Sequence, residues 1–276
     1  MSEIQNERSE SSLVYAIEAN LFEFFSLYTS WSQAEVHDDA DMLWTMTNIP
    51  FPIFNNVLRA QLAGDELDAA IETVITRGKV RNVPLLWWTG PATKPHNLGV
   101  SLVEHGFVYD GEGPGMAVDL QFLQEDIPAP AGFRIEQVKD DKTLNQWSHV
   151  LPNGFGLPEV MADAIFALCQ SIGFAAQTPL RNYIGWLDEQ PVATSSLCLG
   201  AGVAGIYNVT TLPEVRRQGI GARMTLFPLC EARRMGYKIG ILHASPMGVN
   251  VYRRLGFQEY CKIGQYVWTG EPAHSQ

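Results

Sequence analysis

The sequence has few cysteines, and they form no recognisable metal or redox motif. Of its 276 residues only 4 are cysteine, namely Cys169, Cys198, Cys230 and Cys261. They are widely scattered, with no C-x-x-C pair and no histidine at metal-ligand spacing. This pattern excludes a disulfide-dense scaffold and a zinc ribbon. We therefore predict reduced thiols in a core and no metal site.

Long hydrophobic runs and positive charge are also scarce. The best apolar stretch, residues 13–28, is interrupted by Glu18, Asn20 and Glu23, which makes it too polar to cross a bilayer. The first eight residues lack the basic start and apolar run of an export signal. Lysine and arginine number 19 against 30 acidic residues, a formal net charge of −11. We expect a cytoplasmic protein that binds neither nucleic acid nor a membrane.

Apolar residues, in contrast, are abundant enough for a large core. They make up 46% of the chain, and 11% of the residues are aromatic. The length suits two domains of ordinary size. Residues 125–132 are rich in proline and alanine and form the clearest linker. We place a boundary there, with domains at residues 1–130 and 131–276.

The most informative stretch joins a strand to a glycine-containing helix start. Residues 205–211 are rich in β-branched and aromatic side chains and predict a strand, which a proline turn follows. Residues 218–235 then have a helical pattern that opens on Gly219 and Gly221. Pro228 lies inside this helix and predicts a kink or a break.

This helix start is suited to binding an anion. The first turn of a helix has backbone N–H groups without partners and the positive end of the helix dipole. Gly219 and Gly221 lack a Cβ, so phosphates could approach the backbone, and Arg216 and Arg217 could add charge-assisted contacts. The pattern favours a pyrophosphate site; an ordinary helix start with a solvated arginine pair is the alternative.

The order of the elements resembles that of a known family. A predicted strand at residues 237–245 follows the helix, then a short helix at residues 246–255 and the pair Gly256-Phe257. This order resembles the GNAT superfamily of acyl-CoA-dependent N-acyltransferases, whose motif Q/R-x-x-G-x-G/A matches residues 216–221. The family's later segment N-x-x-A-x-x-x-Y-x-x-x-G-F is matched with two departures, Ser245 for Asn and Gly248 for Ala.

The resemblance implies a co-substrate and a set of site residues. Acetyl-CoA would pair its pantetheine arm with the strand backbone and place its pyrophosphate at the helix start. The cofactor-binding residues that it implies are Val209, Thr210, Thr211, Arg216, Arg217, Gln218, Gly219, Ile220, Gly221 and Ala222. Tyr252 would protonate the leaving thiolate, with a packing tyrosine as the alternative. His243 and Glu214 are candidates for the base that deprotonates the amine.

The first half of the chain repeats this order in a weaker form. A predicted strand at residues 83–88, a helix at residues 97–105 and the pair Gly106-Phe107 follow one another. The helix predicted at residues 65–76 lacks the arginines and the paired glycine of the second half. We infer an internal duplication with a degenerate N-terminal GNAT-like half, the alternative being an unrelated α/β domain.

The remaining pattern completes the expected fold. The predicted class is mixed α/β (α+β), with two GNAT-like domains, each a mostly antiparallel twisted sheet flanked by helices. Residues up to 12 are predicted to be a tail. Residues 151–156 are predicted to be a loop, and the resemblance implies that it shapes the acceptor pocket. Other predicted elements are helices at residues 13–28, 140–150 and 158–171 and strands at residues 41–48, 133–138, 181–187 and 191–199. Residues 54–58 are predicted to be a second strand or a turn.

The expected function is transfer of an acetyl group from acetyl-CoA to an amine of a small molecule or a peptide. A non-catalytic acyl-CoA-binding or regulatory protein is an alternative. An enzyme for a longer acyl donor or a non-amine acceptor is another. The sequence identifies neither the acceptor nor the oligomeric state.

Overall fold

The computed structural model describes residues 9–270. The α-helices are α1 (Glu10–Ser26), α2 (Leu67–Arg81), α3 (Leu98–Glu104), α4 (Asp141–Phe155), α5 (Met161–Ile172), α6 (Ile220–Arg234) and α7 (Val249–Arg254). The strands are β1 (Glu35–Asp38), β2 (Leu43–Met46), β3 (Asn56–Leu58), β4 (Leu85–Thr89), β5 (Val108–Asp119), β6 (Phe133–Gln137), β7 (Leu180–Leu187), β8 (Gln190–Gly200), β9 (Val203–Thr211), β10 (Ile239–His243) and β11 (Gln258–Trp268).

The described chain divides into two compact units. Residues 9–24 and 115–260 form one, named here the C-terminal unit. Residues 25–114 and 261–270 form the other, the N-terminal unit. These units divide the chain at other positions than the domain boundary predicted between residues 130 and 131. That boundary, which separates the two halves of the inferred duplication, remains a proposal.

The sheet of the C-terminal unit is mostly antiparallel. Its strands lie in the order β5, β10, β9, β8, β7, β6. Strand β10 runs parallel to β9, and the other neighbours are antiparallel. Helices α6 and α4 both pack on β7, β8 and β9, so that the sheet has a helical layer on each face. This arrangement confirms the predicted mixed fold class.

The strands of the N-terminal unit lie in the order β1, β2, β3, β4, β11. Strands β3 and β4 are parallel and are joined through α2, and α3 follows β4. The same order of strand, helix, strand and helix occurs as β9, α6, β10 and α7 in the C-terminal unit. Its core includes Ile71, Val74 and Trp87, all of which are fully buried.

Each unit contains a strand segment from the other half of the sequence. Residues 115–119 of β5 pair with β10 in the C-terminal unit, where Gly115 lies opposite His243. Residues 264–268 of β11 pair with β4 in the N-terminal unit, where Trp268 lies opposite Leu85. The sequence pattern predicted neither strand.

Helix α1 also belongs to the C-terminal unit, although it comes first in the sequence. The Asn20 amide donates to the carbonyls of Cys198 (3.3 Å) and Gly200 (2.8 Å) and accepts from the Tyr207 hydroxyl (2.8 Å). Phe24 stacks on Tyr207 with the ring centroids 4.1 Å apart. These contacts place α1 against the end of β8 and the middle of β9.

Two local predictions are wrong, and one alternative of a third is excluded. Helix α1 begins at Glu10, whereas the predicted tail extended to residue 12; residues 1–8 of that tail lie outside the described residues. Helix α4 continues to Phe155 through the predicted loop, because Gly156 provides a left-handed C-cap (φ 71°) beyond Pro152. Helix α6 is continuous through Pro228, which is buried, so the break is absent, while the kink given as its alternative stays a prediction.

The cysteines are free thiols, as predicted. Cys169 and Cys198 are buried, and Cys230 and Cys261 are half-buried. Burial raises the pKa of Cys169 to about 12, against an opposing hydrogen bond from Asn182. No helix among residues 9–270 is both long and apolar enough to cross a membrane. Within the same range, no group of three or more His, Cys, Asp or Glu side chains is arranged to hold a metal ion.

Candidate active site

The site begins where the parallel strands β9 and β10 separate. Their pairing runs from Ala204 opposite Gly240 to Ile206 opposite Leu242. Strand β10 ends one residue later at His243, whereas β9 continues to Thr211. Among the described strands, none pairs with the β10 side of residues 207–211. This edge of backbone N–H and C=O groups can pair with an extended ligand in the way that an added strand would.

A β-bulge lies within this unpaired edge. On strand β8, Thr194 lies opposite Thr210 and Ser196 lies opposite Tyr207, so that Ser195 faces two residues of β9. One of these is Asn208, whose φ of 54° lies in the left-handed region that asparagine tolerates better than most residues. A bulge redirects the local peptide groups out of the ladder. The β9 backbone is therefore turned at the point where β10 ends.

Four polar side chains hold this bulge, and we name them the bulge network: Asn182, Thr194, Ser196 and Asn208. The Thr194 hydroxyl donates to the Asn208 carbonyl at 2.7 Å. The Asn208 amide donates to Ser196 Oγ at 3.0 Å, and that hydroxyl donates to Asn182 Oδ1 at 2.7 Å. Asn182, Thr194 and Ser196 are buried. Satisfied buried networks of this kind rigidify the backbone that they contact.

The glycine-containing helix start lies directly after this strand. Helix α6 begins at Ile220, with Gly219 as its N-cap at φ 81° and without a side-chain cap bond. Arg217 also has a positive φ, 64°. A Cβ at Gly219 would lie 2.4 Å from the Pro128 carbonyl oxygen, whereas a Cβ at Gly221 would meet only Thr211 Oγ1, at 3.7 Å. The first turn of α6 is thus open beside Gly221, which fits an approaching phosphate.

The predicted phosphate-binding arginines have different surroundings. The Arg216 Nε donates to the Thr211 carbonyl at 3.0 Å, and its Nη2 donates to the Gly154 carbonyl at 2.7 Å. Arg216 therefore ties the end of β9 to the last turn of α4. Arg217 and Gln218 are exposed beside the helix start.

Tyr252 lies on α7, the helix that follows β10. Its ring contacts that of Phe257 edge to face, with the centroids 6.1 Å apart. A Cβ at Gly248 would lie 2.8 Å from the Tyr252 ring, so glycine at this position makes room for the ring. Burial raises the pKa of Tyr252 to about 12. No group in the described part of the chain forms a hydrogen bond with its hydroxyl, which leaves that hydroxyl able to donate to a ligand.

The two candidate bases differ in burial. His243 is the last residue of β10, and its ring centroid is 6.0 Å from that of Tyr207. Burial lowers the pKa of His243 to about 4, and a smaller effect of the Ile17 carbonyl opposes this. His243 is therefore neutral at pH 7. Glu214 is exposed on the short turn between β9 and α6.

The structure brings the predicted cofactor-binding residues together along one path, and it shows no contact between them and Tyr252 among the described residues. Residues 209–211 end β9, residues 219–222 open α6, and the Thr211 hydroxyl lies against Gly221. Sequence reasoning missed the bulge network entirely. Its signal in the sequence was a polar run at the centre of an apolar strand, Thr194-Ser195-Ser196, and an asparagine inside the predicted strand β9.

A comparison with known proteins finds a family model that matches the segment containing the predicted cofactor-binding residues. Residues 201–260 match a family model described as "Acetyltransferase (GNAT) domain". This segment contains β9, the open helix start and Tyr252. The chain has no match among curated proteins.

Solved structures share the fold over nearly the whole chain. A GCN5-related N-acetyltransferase from Kribbella flavida is 19% identical, with a TM-score of 0.68 over 93% of this chain and 96% of that one. A "Tandem GNAT protein from the clavulanic acid biosynthesis pathway" is 13% identical, with a TM-score of 0.61 over 99% of this chain and 98% of that one. A GCN5-related N-acetyltransferase from Sphaerobacter thermophilus is 12% identical, with a TM-score of 0.60. Residues 201–260 thus match the GNAT acetyltransferase domain model, and the chain shares the fold of these GNAT proteins.

Proposed function

We propose that the chain is an acetyl-CoA-dependent N-acetyltransferase whose active site lies in the C-terminal unit. The observation that supports this most strongly is the unpaired edge of β9 leading directly into the open first turn of α6. A ligand with an extended amide arm and a pyrophosphate would match both features in that order. The N-terminal unit has no comparable paired-glycine helix start, since α2 follows Glu66.

The chain would hold acetyl-CoA mainly through its backbone. Residues 209–211 would pair with the pantetheine arm. The N–H groups of residues 218–222 would bind the pyrophosphate, with Arg217 adding positive charge from the surface. Arg216 would act indirectly, since its guanidinium fixes the geometry between β9 and α4. When bound, acetyl-CoA supplies a thioester that is activated for attack by an amine.

Tyr252 is proposed as the acid that protonates the departing thiolate. Since its pKa is raised to about 12, the hydroxyl stays protonated throughout the physiological range. Transfer to a thiolate whose conjugate acid has a pKa near 8.5 is uphill by about 3.5 pKa units. The phenol would therefore donate a hydrogen bond as negative charge develops, and transfer its proton only as the thiolate leaves.

The acceptor would have to reach the site as a neutral amine. His243 is neutral at pH 7 and lies at the end of β10, where it can accept a proton only weakly because its pKa is about 4. Deprotonation through water, with His243 or Glu214 as its final acceptor, is the route that these residues allow. The proposed acceptor is a small-molecule or peptide amine.

The experiment that tests this function measures acetyl-CoA binding by isothermal titration calorimetry. In the variant Gly221→Glu, a carboxylate in the open first turn should repel the pyrophosphate. Glutamate is also a better helix former than glycine and favours a helix N-terminus. Binding should weaken by at least about a hundredfold, since like charges placed together cost several kcal/mol, while the melting temperature stays equal or rises.

A matched control uses the same substitution elsewhere. Gly64 is exposed, has open space around its Cα and lies in the N-terminal unit, so Gly64→Glu adds the same charge without touching the site. It should bind acetyl-CoA as the unaltered protein does. If the unaltered protein and Gly221→Glu bound acetyl-CoA with equal affinity, the proposed pyrophosphate site would be refuted. If acetyl-CoA binds but screening of amines gives no thiol release, the protein binds acyl-CoA without catalysis.

A further inference from the structure

The bulge network performs a task that the fold alone does not require. Strand β9 could pair regularly with β8, as it does from Val203 opposite Gly200 to Tyr207 opposite Ser196. The ladder is instead interrupted at Asn208, and the interruption is held by side chains rather than by backbone pairing. Asn208 is held at two points: its backbone carbonyl accepts a hydrogen bond from Thr194, and its side-chain amide donates one to Ser196.

The cost of this arrangement indicates that it serves a purpose. A non-glycine residue in the left-handed region is strained, and buried hydroxyl and amide groups are expensive unless every one is paired. The network meets that cost with three hydrogen bonds of 2.7–3.0 Å. Strained backbone that its surroundings hold in place is concentrated at sites where groups must be oriented in advance.

We propose that Asn208, held by Ser196 and Asn182, is a positioning residue that orients the bulged peptide groups of β9 toward the acyl carbonyl of the bound thioester. This inference rests on the proposed function and adds side chains to a site that otherwise acts through backbone. Asn208 acts through the peptide groups and has no catalytic role of its own. Its effect is confined to the acyl group, since the pyrophosphate site lies beyond it, at the start of α6.

Neighbouring serines of β8 give a matched pair of variants. The Ser196 hydroxyl connects Asn182 with Asn208. The Ser195 hydroxyl is equally buried, but it has no hydrogen-bond partner within residues 9–270, and Ser195 lies opposite Tyr183 on the other face of the strand. Ser196→Ala breaks the network, whereas Ser195→Ala removes an unpaired hydroxyl of the same size from the adjacent position. A third variant, Asn208→Gly, keeps the left-handed backbone and removes only the side chain.

The test compares the affinities of acetyl-CoA and CoA for each variant by calorimetry. The two ligands differ only in the acyl group. Ser196→Ala and Asn208→Gly should lower the ratio of acetyl-CoA to CoA affinity by about threefold to tenfold, the usual effect of one hydrogen bond. Their affinity for CoA should stay within about twofold of the unaltered protein, since the pyrophosphate contacts remain. With an acceptor amine in hand, KM for acetyl-CoA should rise by about the factor that its affinity falls, and kcat should fall as well.

Each outcome has a definite meaning. If Ser196→Ala and Asn208→Gly keep the affinity ratio of the unaltered protein, the network is only a packing feature and the proposal is overturned. An equal loss in Ser195→Ala would also overturn it, because that hydroxyl lies outside the network. If the unaltered protein binds neither acetyl-CoA nor CoA, the proposed function is wrong, and this inference, which rests on it, is wrong as well.

Discussion

The buried imidazole of His243 makes the stability of the protein depend on pH in a calculable way. In the folded protein burial lowers its pKa to about 4, whereas an unperturbed histidine has a pKa near 6.5. The unfolded chain therefore binds the proton more tightly than the folded one. The stabilisation is fully present above pH 6.5 and is lost as the pH falls towards 4. Linkage gives a loss of about 2 kcal/mol between pH 7 and pH 5 and about 3 kcal/mol by pH 4.

Urea unfolding at pH 7 and pH 5 measures this effect. His243→Gln carries no titratable group at this position, so its free energy of unfolding should fall by about 2 kcal/mol less than that of the unaltered protein over the same interval. His96→Gln replaces an exposed histidine of the N-terminal unit and serves as the control, which should retain the full pH dependence. If His243→Gln and the unaltered protein lost equal stability on acidification, His243 would not be held neutral by burial.

Two further predictions concern the proposed reaction. Tyr252→Phe should lower kcat by about a hundredfold or more in a thiol-release assay while leaving the Kd for acetyl-CoA unchanged, because only the proton donor is lost. An unchanged kcat in this variant would exclude Tyr252 as the acid. Because burial raises the pKa of Tyr252 to about 12, this group should itself cause no loss of activity up to pH 10. Arg216→Ala should lower the free energy of unfolding by about 1–3 kcal/mol, since its charged group holds two carbonyls. Arg217→Ala, at an exposed position, should leave the free energy of unfolding unchanged in the same denaturation assay and weaken only acetyl-CoA binding. A loss of stability in Arg217→Ala together with unchanged stability in Arg216→Ala would contradict the roles given to the two arginines.

The sequence predicted the central strand–helix–strand–helix order correctly because each element carries its own local signal. Strand β9 is rich in β-branched residues, α6 opens on Gly219, and Gly236 ends that helix in a left-handed conformation (φ 96°). The fold class and the resemblance to GNAT proteins followed from this order and are confirmed. The roles of the individual site residues stay predictions.

What the sequence could not show depends on contacts between distant positions. Strand β5 contains three glycines and a proline, so its local pattern is that of a loop, and only pairing with distant strands such as β10 makes it a strand. The bulge at Asn208 requires Thr194 and Ser196, which precede it in the chain by more than ten residues. Local periodicity contains no information about such pairings.

Arg216 illustrates how a correct motif can mislead about a side chain. The motif predicts a cationic group beside the helix start, and the residue is indeed there. Its guanidinium, however, contacts the carbonyls of Thr211 and Gly154. The Gly154 carbonyl is 62 positions away in sequence, so no reading of the motif alone could anticipate that contact.

The exchange of strand segments between the halves of the sequence has a consequence for biosynthesis. The N-terminal unit, which contains residues made early, cannot complete its sheet until residues 264–268 have left the ribosome. Residues 25–114 would therefore finish folding only after residues 115–260 have been made. A ribosome that stalled before residue 264 would hold a nascent chain in which the edge of β4 lacks its partner strand.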